Sequence, residues 1–402
     1  MKKRIAILGY GQRGAIYAAY ALAHPEEFET VAVADTDAAR RDLAGKANGC
    51  PVFSSCEGFF AAHIPCDVVA VCMQDKDHLR YAVLCMQNGY DILLEKPIAA
   101  SLRDCLKIRR AAAKYNRTVV VCHVLRYTPF YSAIKKVLDD GVLGEIVTIE
   151  ASENVGYYHQ AHSFVRGPWR SSADSVPMIV AKCCHDMDLL RWLMDCRCEK
   201  VTSYGGLQYF TPKNAPPSSA PYCTDCPAEG CVYRAADVYK KYPWMAGYFS
   251  AKTDEESIQA ALPHTPYDRC VFACDNDAVD HQVAVFEFEG GKTACFTMTA
   301  FSQTIYRDLK IHGTKGELVG IMEDKRFEVR LFTGETIAYE ADAPATCGNH
   351  GGGDVAMMQA LYRLLTGADK AVYSLDAGID SHKMAFAAEK SRKTGKPVRV
   401  RG

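Results

Sequence analysis

Short apolar runs alternate with longer amphipathic segments over the first third of the chain. Runs at 5–8, 30–34 and 66–73 are each followed by a segment with the residue spacing of a helix. Two more strand-like runs, YDILL and RTVVVCHV, complete the series. Because strands that alternate with helices form parallel sheets, we predict an α/β domain with a doubly wound parallel sheet over residues 1–127.

The pattern changes beyond this point. Segments such as HQVAVFEFEGG, KTACFTMTAFS and FEVRLFTGETIAYE alternate apolar and polar positions, and glycine-rich turns join them. Such alternation predicts a large, mostly antiparallel open sheet. We therefore assign residues 128–375 to an α+β domain, and residues 376–402 to a C-terminal helix and tail that pack back across the domain junction.

A glycine motif lies where the first apolar run meets the first helix. The stretch RIAILGYGQRG contains Gly9-x-Gly11-x-x-Gly14, and a second apolar run ends at Asp35, 21 residues after Gly14. The glycines permit a tight turn, the approach of a pyrophosphate and close strand–helix packing, while the helix N-terminus attracts phosphate. An acid at the end of the second strand binds ribose hydroxyls and repels a 2′-phosphate. The motif predicts a Rossmann-type NAD site, with two alternatives: NADP, because two arginines follow Asp35 closely, and an ordinary βαβ turn.

Composition narrows the classes of function. The chain has 402 residues, with 47 Lys and Arg against 48 Asp and Glu, so no basic excess indicates nucleic-acid binding. No apolar run reaches the roughly 18 residues of a membrane span. The first strand begins without an apolar leader, and 18 cysteines in such a chain indicate reduced thiols. We expect a cytoplasmic protein that binds neither nucleic acid nor membranes.

Two further motifs connect the chain to a family. Glu95-Lys96-Pro97 ends a predicted strand, and His185-x-x-Asp188 lies in a predicted helix of the second domain. Together with the glycine motif, they make the chain resemble the Gfo/Idh/MocA oxidoreductases. The resemblance implies NAD or NADP on the first domain and a second domain whose open sheet binds substrate and forms a homodimer or homotetramer. It also implies a sugar or cyclitol that is oxidised or reduced at a carbinol carbon.

The same resemblance assigns the catalytic residues. Lys96, at the carboxyl end of a parallel strand, would hydrogen-bond the reacting hydroxyl, although it could instead be a surface lysine paired with Glu95. His185 would exchange the hydroxyl proton, although a lone histidine is often a core residue. Many family members carry an aspartate four residues before this histidine, where this chain has Ala181. Lys182 follows it, and we take it as a third catalytic candidate or a solvated helix-end lysine.

The remaining site candidates fall into two sets. The predicted cofactor-binding residues are Gly9, Gly11, Gln12, Arg13, Gly14, Asp35, His78, Glu95 and Lys96. The predicted substrate contacts are Arg126, Tyr127, His159, His162, Arg166 and Asp188. Three of these come from the aromatic segment 157–170, which could also be an exposed connector with aromatic anchors. Asp188 could orient His185 or pair locally instead of binding substrate.

A proline- and cysteine-rich insertion occupies residues 212–270 and lacks obvious secondary structure. Its CxxCx4C trio and a distant fourth cysteine have the spacing of a zinc ribbon. The predicted ligands of a structural zinc ion are Cys223, Cys226, Cys231 and Cys270. Cys274 competes for the fourth position, and a set of free thiols is the alternative.

A last motif, HGGGD at 350–354, opens a C-terminal helical stretch. Its glycines permit close approach of a ligand or a neighbouring domain. We predict a simpler role, a helix entry with Asp354 as the N-cap.

These features favour an NAD(H)-dependent oxidoreductase that transfers hydride at a carbinol carbon. An alternative keeps the cofactor but cleaves a glycoside, by transient oxidation of the 3-hydroxyl followed by elimination. A non-catalytic nucleotide sensor is a third hypothesis, but a sensor requires neither Lys96 nor His185.

Overall fold

The structure, a computed structural model, describes residues 1–250, 252–341, 350–369 and 374–400. The strands are β1 Lys3–Leu8, β2 Phe28–Ala34, β3 Val52–Phe53, β4 Val68–Val71, β5 Asp91–Leu94, β6 Val119–Val121, β7 Ile146–Asn154, β8 Cys198–Gly206, β9 His281–Phe288, β10 Thr293–Thr299, β11 Asp308–Gly313, β12 Gly316–Ile321, β13 Arg326–Leu331, β14 Thr336–Glu340 and β15 Val398–Arg399. The helices are α1 Gln12–Ala23, α2 Ala38–Asn48, α3 Cys56–Ala61, α4 His78–Gln87, α5 Leu102–Tyr115, α6 Pro129–Asp139, α7 Tyr157–His159, α8 Met178–Ala181, α9 Cys184–Met194, α10 Ala235–Lys241, α11 Glu255–Ala261, α12 Gly353–Thr366 and α13 Leu375–Thr394. Within these ranges, no helix combines the length and the apolar character needed to cross a bilayer.

The first sheet has six parallel strands in the order β3-β2-β1-β4-β5-β6. Its central strand β4 is buried throughout, which explains its uninterrupted apolar sequence. The predicted doubly wound α/β fold is confirmed. The strand order reverses direction next to β1, and the carboxyl ends of β1 and β4 there border a crevice of the kind that binds ligands.

The second sheet has nine strands in the order β14-β13-β12-β11-β7-β10-β9-β8-β15. Only β7 and β10 pair in parallel among its described strands. One face packs on α9 and α13, while apolar side chains such as Val147, Tyr204 and Val285 remain at least half exposed on the other. The predicted open, mostly antiparallel sheet is confirmed.

The two C-terminal helices join the two parts of the chain. Met357 and Met358 of α12 pack in the core of the first sheet, although the predicted boundaries place them in the second domain. Helix α13 contacts both α5 and α9. Its His382 accepts a hydrogen bond from the Ile98 N–H at 2.9 Å. The amphipathic pattern of α12 predicts a helix but does not indicate which sheet the helix covers.

Two segments are more regular than their sequences predict. The segment 157–170 is not an exposed connector, because α7 continues into a buried π-helix at Gln160–Arg166. A π-helix has more residues per turn than an α-helix, so it lacks the 3.6-residue pattern. The insertion also contains structure, namely α10, α11 and a 3₁₀ turn at Pro243–Tyr248. These elements are too short to give a clear periodic signal.

Candidate active site

The turn between β1 and α1, residues 9–14, has the geometry of a dinucleotide site. Gly9 has a φ of +94°, and a Cβ atom there would lie 2.7 Å from the carbonyl oxygen of Cys72. A Cβ on Gly14 would lie 2.0 Å from the Gly9 carbonyl oxygen, so neither position accepts a side chain. A Cβ atom on Gly11 would have no neighbour closer than Nη1 of Arg40, at 3.8 Å. This opening, beside the N-terminus of α1, leaves room for a pyrophosphate.

Asp35 lies at the carboxyl end of β2 beside this turn. Its two carboxylate oxygens accept hydrogen bonds from the N–H groups of Tyr10 at 2.6 Å and Asp37 at 2.8 Å. These bonds fix the carboxylate, whose other lone pairs suit the hydroxyls of an adenosine ribose. The residues present therefore fit NAD.

Arg13 follows the turn, but its guanidinium faces carboxylates instead of a phosphate position. Its Nε donates to Glu95 Oε1 at 2.6 Å, and its Nη2 donates to Asp354 Oδ1 at 2.7 Å. Burial alone would raise the pKa of Glu95, but the charge of Arg13 and the Tyr17 hydroxyl bring it below its ordinary value. The predicted cofactor residues Arg13 and Glu95 thus form one ion pair under the cofactor turn.

The HGGGD motif contributes to this cluster. The sequence predicts Asp354 as the N-cap of α12, but Gly352 occupies that position. Instead the Asp354 carboxylate faces His350 Nδ1 at 2.9 Å and Arg13. Burial would raise the pKa of Asp354, but these two partners lower it to about 2. The His350 ring lies 6.2 Å from that of His185, so the motif borders the catalytic residues.

Lys96 lies beyond the carboxyl end of β5. Its Nζ donates to the carbonyl oxygen of Ala181 at 3.1 Å, so the lysine bridges from the first domain to the helix before His185. His78 is fully buried, with Nδ1 2.7 Å from the Pro97 carbonyl oxygen and Nε2 3.1 Å from that of Met73. Both ring nitrogens face the backbone. His78 therefore supports the Lys96 loop and is not the predicted cofactor contact.

His185, in the first turn of α9, is only 5% exposed. Its Nδ1 is buried and has no hydrogen-bond partner among the described residues. Burial lowers the pKa of His185 well below its ordinary value, and the charge of Lys96 lowers it further. The imidazole is therefore neutral at neutral pH and can accept a proton.

Asp188 and Arg126, two predicted substrate contacts, bind each other. Arg126 Nε and Nη2 donate to the two carboxylate oxygens at 2.5 and 2.8 Å. Asp188 also faces His123 Nδ1 at 3.3 Å, and the His123 ring contacts that of His185 edge to face at 5.8 Å. Burial would raise the pKa of Asp188, but Arg126 and His123 hold it below its ordinary value. This pair supports His185 through His123, and the predicted substrate contacts of Arg126 and Asp188 stay predictions.

Tyr127, the neighbouring candidate, packs beside the core of the first sheet. No observation tests its predicted substrate contact, which stays a prediction.

Lys182 belongs to a second buried ionic cluster. Its Nζ lies 3.2 Å from Oε1 of Glu153, which is fully buried on β7. Glu153 also pairs with Arg307, whose Nε donates to Asp186 Oδ1 at 2.8 Å. Burial raises the pKa of Asp186 to about 6 despite the charge of Arg307. Residue 181, where many family members carry an aspartate, is alanine here. Glu153 is the carboxylate that pairs with Lys182, three residues before His185.

Sequence analysis missed Glu153, although a signal exists. Glu153 is in phase with Ile149 on β7, on the face that is buried. An acid at an inward-facing position of a strand is unusual and calls for a charged partner. The partners, Lys182 and Arg307, lie 29 and 154 residues away along the chain (182 − 153 and 307 − 153), beyond any local pattern.

His159 is a second imidazole near the lysines. Its Nδ1 is buried and, within the described ranges, makes no hydrogen bond. Burial lowers the pKa of His159 well below its ordinary value, and the charges of Lys182, His162 and Lys96 add to the effect. The charges of Lys182 and Lys96 act on the His159 ring, and its predicted substrate contact stays a prediction.

His162 and Arg166 lie elsewhere, and their prediction as substrate contacts is wrong. His162 is 2% exposed, its Nδ1 faces the Tyr239 hydroxyl at 3.0 Å, and burial lowers its pKa to about 3. Arg166 is 1% exposed and donates to the carbonyl oxygen of Tyr233 at 2.7 Å. Both side chains face away from the cleft, because the π-helix directs them into the core of the insertion.

The structure does not assemble the predicted zinc site. The four thiols and Arg166 line one enclosed cavity of about 10 Å³, roughly the space of one water molecule. Within the described ranges, no three of these sulfur atoms lie within 4.8 Å of one another. Zinc–sulfur bonds of about 2.3 Å require sulfur atoms roughly 4 Å apart.

A different set of metal-type ligands is close together, namely His123, Cys184 and His382. His382 Nδ1 lies 2.8 Å from the Gly378 carbonyl oxygen, and its Nε2 accepts from Ile98. Burial raises the pKa of the Cys184 thiol to about 12. Because the His382 Nε2 lone pair accepts the Ile98 N–H and its Nδ1 faces a carbonyl oxygen, His382 offers no lone pair to a metal, and we interpret the group as a packing cluster.

A dinucleotide turn, a strand-end lysine and a neutral histidine at one cleft define a nicotinamide-dependent oxidoreductase. The chain belongs to the Gfo/Idh/MocA oxidoreductase family. Residues 3–123 match its NAD-binding Rossmann fold, and residues 135–400 match its C-terminal alpha/beta domain. The protein is accordingly an enzyme of the NAD-dependent dehydrogenase type that acts on CH–OH groups.

Named relatives cover different shares of the chain. The putative oxidoreductase YteT of Bacillus subtilis is 29% identical over 78% of this chain and 78% of its own. Inositol 2-dehydrogenase 1 of Saccharopolyspora erythraea is 29% identical over 50% of this chain and 57% of its own. A levoglucosan dehydrogenase in complex with NADH has the same fold over the full length of both chains, with a TM-score of 0.77 at 15% identity.

Proposed function

We propose that the protein transfers hydride between NAD and a carbinol carbon of a sugar, sugar derivative or cyclitol. The observation that carries the proposal is His185, a buried neutral base beside Lys96. Relatives named as inositol dehydrogenases, and the fold shared with a levoglucosan dehydrogenase, support the substrate class.

The side chains divide the chemistry among them. When bound, NAD supplies the hydride acceptor. Lys96 would donate a hydrogen bond to the reacting hydroxyl, stabilising the negative charge that develops on its oxygen. His185 Nδ1, which has no partner in the described part of the chain, would take the hydroxyl proton. Lys182, held by Glu153, places a second positive charge near the cleft.

Asp35 supports NAD over NADP. A 2′-phosphate on the ribose would bring about 1.5 to 2 negative charges next to a fixed carboxylate. Arg40, near Gly11, is the nearby cation that would oppose this preference.

A redox-neutral glycoside-cleaving reaction is the second candidate, and His159 favours it. That reaction needs one base for the hydroxyl proton and another for the proton on the neighbouring carbon, before the substituent leaves. The cleft offers two neutral imidazoles, His185 and His159, both under the influence of Lys96. Elimination and re-reduction would then leave the net redox state unchanged.

A substrate panel separates the two candidates. Purified protein with NAD would be incubated with sugars, cyclitols and aryl glycosides, and both absorbance at 340 nm and glycoside cleavage would be followed. An increase in absorbance at 340 nm that is stoichiometric with the substrate converted supports the dehydrogenase. Cleavage without such growth supports the second reaction. Neither activity, with NAD bound, would leave only the nucleotide sensor.

The exposed face of the second sheet supports a homodimer or homotetramer. Tyr204 and Val285 expose 65% and 50% of their surface there, and contiguous apolar patches of this kind mark interaction sites. Light scattering of the purified protein tests the assembly.

The seventeen cysteines that the structure describes are all unpaired, which supports a reducing, cytoplasmic location.

The insertion is also proposed to hold a structural zinc ion. Arg166 supports this, because its buried Nη1 has no partner in the described residues and its Nη2 lies 3.5 Å from Cys223 Sγ. Four thiolates on zinc would compensate this charge, but the thiols must first draw together. We expect about one zinc per chain by elemental analysis. A metal-free preparation that melts at the same temperature as the zinc-loaded protein and keeps a protease-resistant insertion would contradict the proposal.

A further inference from the structure

One short turn of the insertion, Pro243–Tyr248, lies close to the dinucleotide turn. A Cβ atom on Gly247 would be 3.8 Å from Gln12 Nε2, at the start of α1. Burial raises the pKa of Tyr248, and the charges of Arg13 and Arg40 oppose that rise. The C-terminal end of this turn therefore borders the cofactor side of the cleft.

The other end of the same turn faces the substrate side. The Trp244 ring lies 6.0 Å from that of His159, whose helix α7 follows β7, the strand that carries Glu153, the partner of Lys182. Trp244 is 49% exposed, whereas Trp169 and Trp192 pack against the core of the second sheet. A half-exposed indole next to a catalytic cleft offers an aromatic face to a ligand.

The turn is held rigidly. Met245 and Ala246 are fully buried in the core of the insertion. Tyr242, the residue before the turn, stacks on Tyr158 at 3.7 Å between ring centroids. Trp244 is therefore held on a fixed support, and its position does not depend on loop closure.

We propose that Trp244 is a specificity-determining residue that stacks on the apolar C–H face of a sugar or cyclitol ring, orienting the reacting hydroxyl toward His185. Such rings are polar at their edges and apolar on their faces, so an indole selects them over open-chain alcohols. The inference rests on the proposed function. It assigns the insertion a role in substrate choice.

Replacement of the indole tests the proposal. For the best cyclic substrate of the panel, we expect Trp244→Ala to raise KM about tenfold, with kcat changed less than about threefold, as for loss of binding shared by ground and transition states. Trp244→Phe should recover most of the loss. Tyr222→Ala removes another aromatic side chain of the insertion with 49% exposure and should match the unmodified protein.

Equilibrium binding gives a readout independent of turnover. Calorimetric titration of the same sugar into NAD-saturated protein should show an equal loss of affinity in Trp244→Ala, with the Kd for NAD unchanged. Unchanged KM and sugar affinity would overturn the inference, as would weakening confined to NAD, which would place the indole on the cofactor. Failure of the proposed function looks different, because the unmodified protein would then neither bind nor convert any sugar.

Discussion

The two sides of the cleft are built in different ways. The cofactor turn is one continuous stretch, residues 9–14, where the glycines leave the backbone open, and Asp35 adds one carboxylate from the end of β2. The substrate side combines side chains from β7, from α9 and from the residues just before α9 and β11, and its recognition depends on charge. A side chain at Gly9 or Gly14 would clash with backbone atoms, whereas each charge on the substrate side belongs to a side chain that one substitution can remove.

Charge is also balanced differently on the substrate side. Arg126 is paired with Asp188, and Arg307 is shared between Glu153 and Asp186. The histidines between these clusters stay neutral because burial and nearby cations disfavour their protonated forms. The cofactor turn thus offers an open backbone, whereas the surroundings of His185 consist of buried charged pairs and neutral histidines.

The largest effect should come from the catalytic residues. Lys96→Ala and His185→Ala should each lower turnover by about two to four powers of ten, the range for loss of a positioned acid or base. NAD affinity, from fluorescence titration, should suffer more in Lys96→Ala. The exposed His264→Ala is the matched control. Near-normal turnover in His185→Ala would mean that Lys182 or His159, and not His185, accepts the hydroxyl proton.

Breaking the buried ionic cluster should be the next largest effect. Glu153→Ala leaves Lys182 and Arg307 without this carboxylate and should lower the free energy of unfolding by about 3–5 kcal/mol. Glu150→Ala, on the same strand, removes a half-exposed partner of Lys310 and should cost less than about 1 kcal/mol. Urea denaturation measures both. Equal losses would mean that Glu153 is not part of a buried ion pair.

Acid should weaken the fold through the neutral histidines. Burial lowers the pKa values of His162 and His382 to about 3 and those of His185 and His159 below their ordinary value. The unfolded chain takes up these protons below about pH 6.5, while the folded chain does not. Each histidine therefore lowers the free energy of unfolding by up to about 1.4 kcal/mol per pH unit as the pH falls. Asp186, with its pKa raised to about 6, takes up a proton in the folded chain below pH 6. It therefore opposes the loss of stability and offsets the effect of about one histidine.

Denaturation at pH 7, 6 and 5 measures this slope. His162→Gln should reduce it by about one proton, and the exposed His264→Gln should leave it unchanged. A free energy of unfolding that does not change over this range would contradict neutral buried histidines.

Cofactor choice should show the smallest effect. Asp35→Ala should bring the Kd values of NAD and NADP closer by about tenfold, since one charge–phosphate repulsion and the ribose hydrogen bonds are lost. Titration of both cofactors into the variant and the unmodified protein measures it. Tighter binding of NADP by the unmodified protein would contradict the role given to Asp35.

The same comparison explains what could be predicted from the sequence. The glycine turn and Asp35 are local features that pattern alone located, Lys96 required the family resemblance as well as its strand end, and the alternation of both sheets predicted the fold class. Glu153 and Arg307 meet only through the second sheet, and no short motif contains both. The direction of Arg166 depends on a π-helix, which leaves no 3.6-residue pattern to detect.

Hydride transfer itself is the central claim, and a single-turnover experiment tests it most directly. Protein loaded with stoichiometric NAD would be mixed rapidly with excess of a sugar that it binds, and absorbance at 340 nm would be followed. The account predicts a rise within one turnover, sustained for a dehydrogenase and transient for the redox-neutral reaction, and absent in Lys96→Ala. Conversion of the sugar without any rise, sustained or transient, would contradict it.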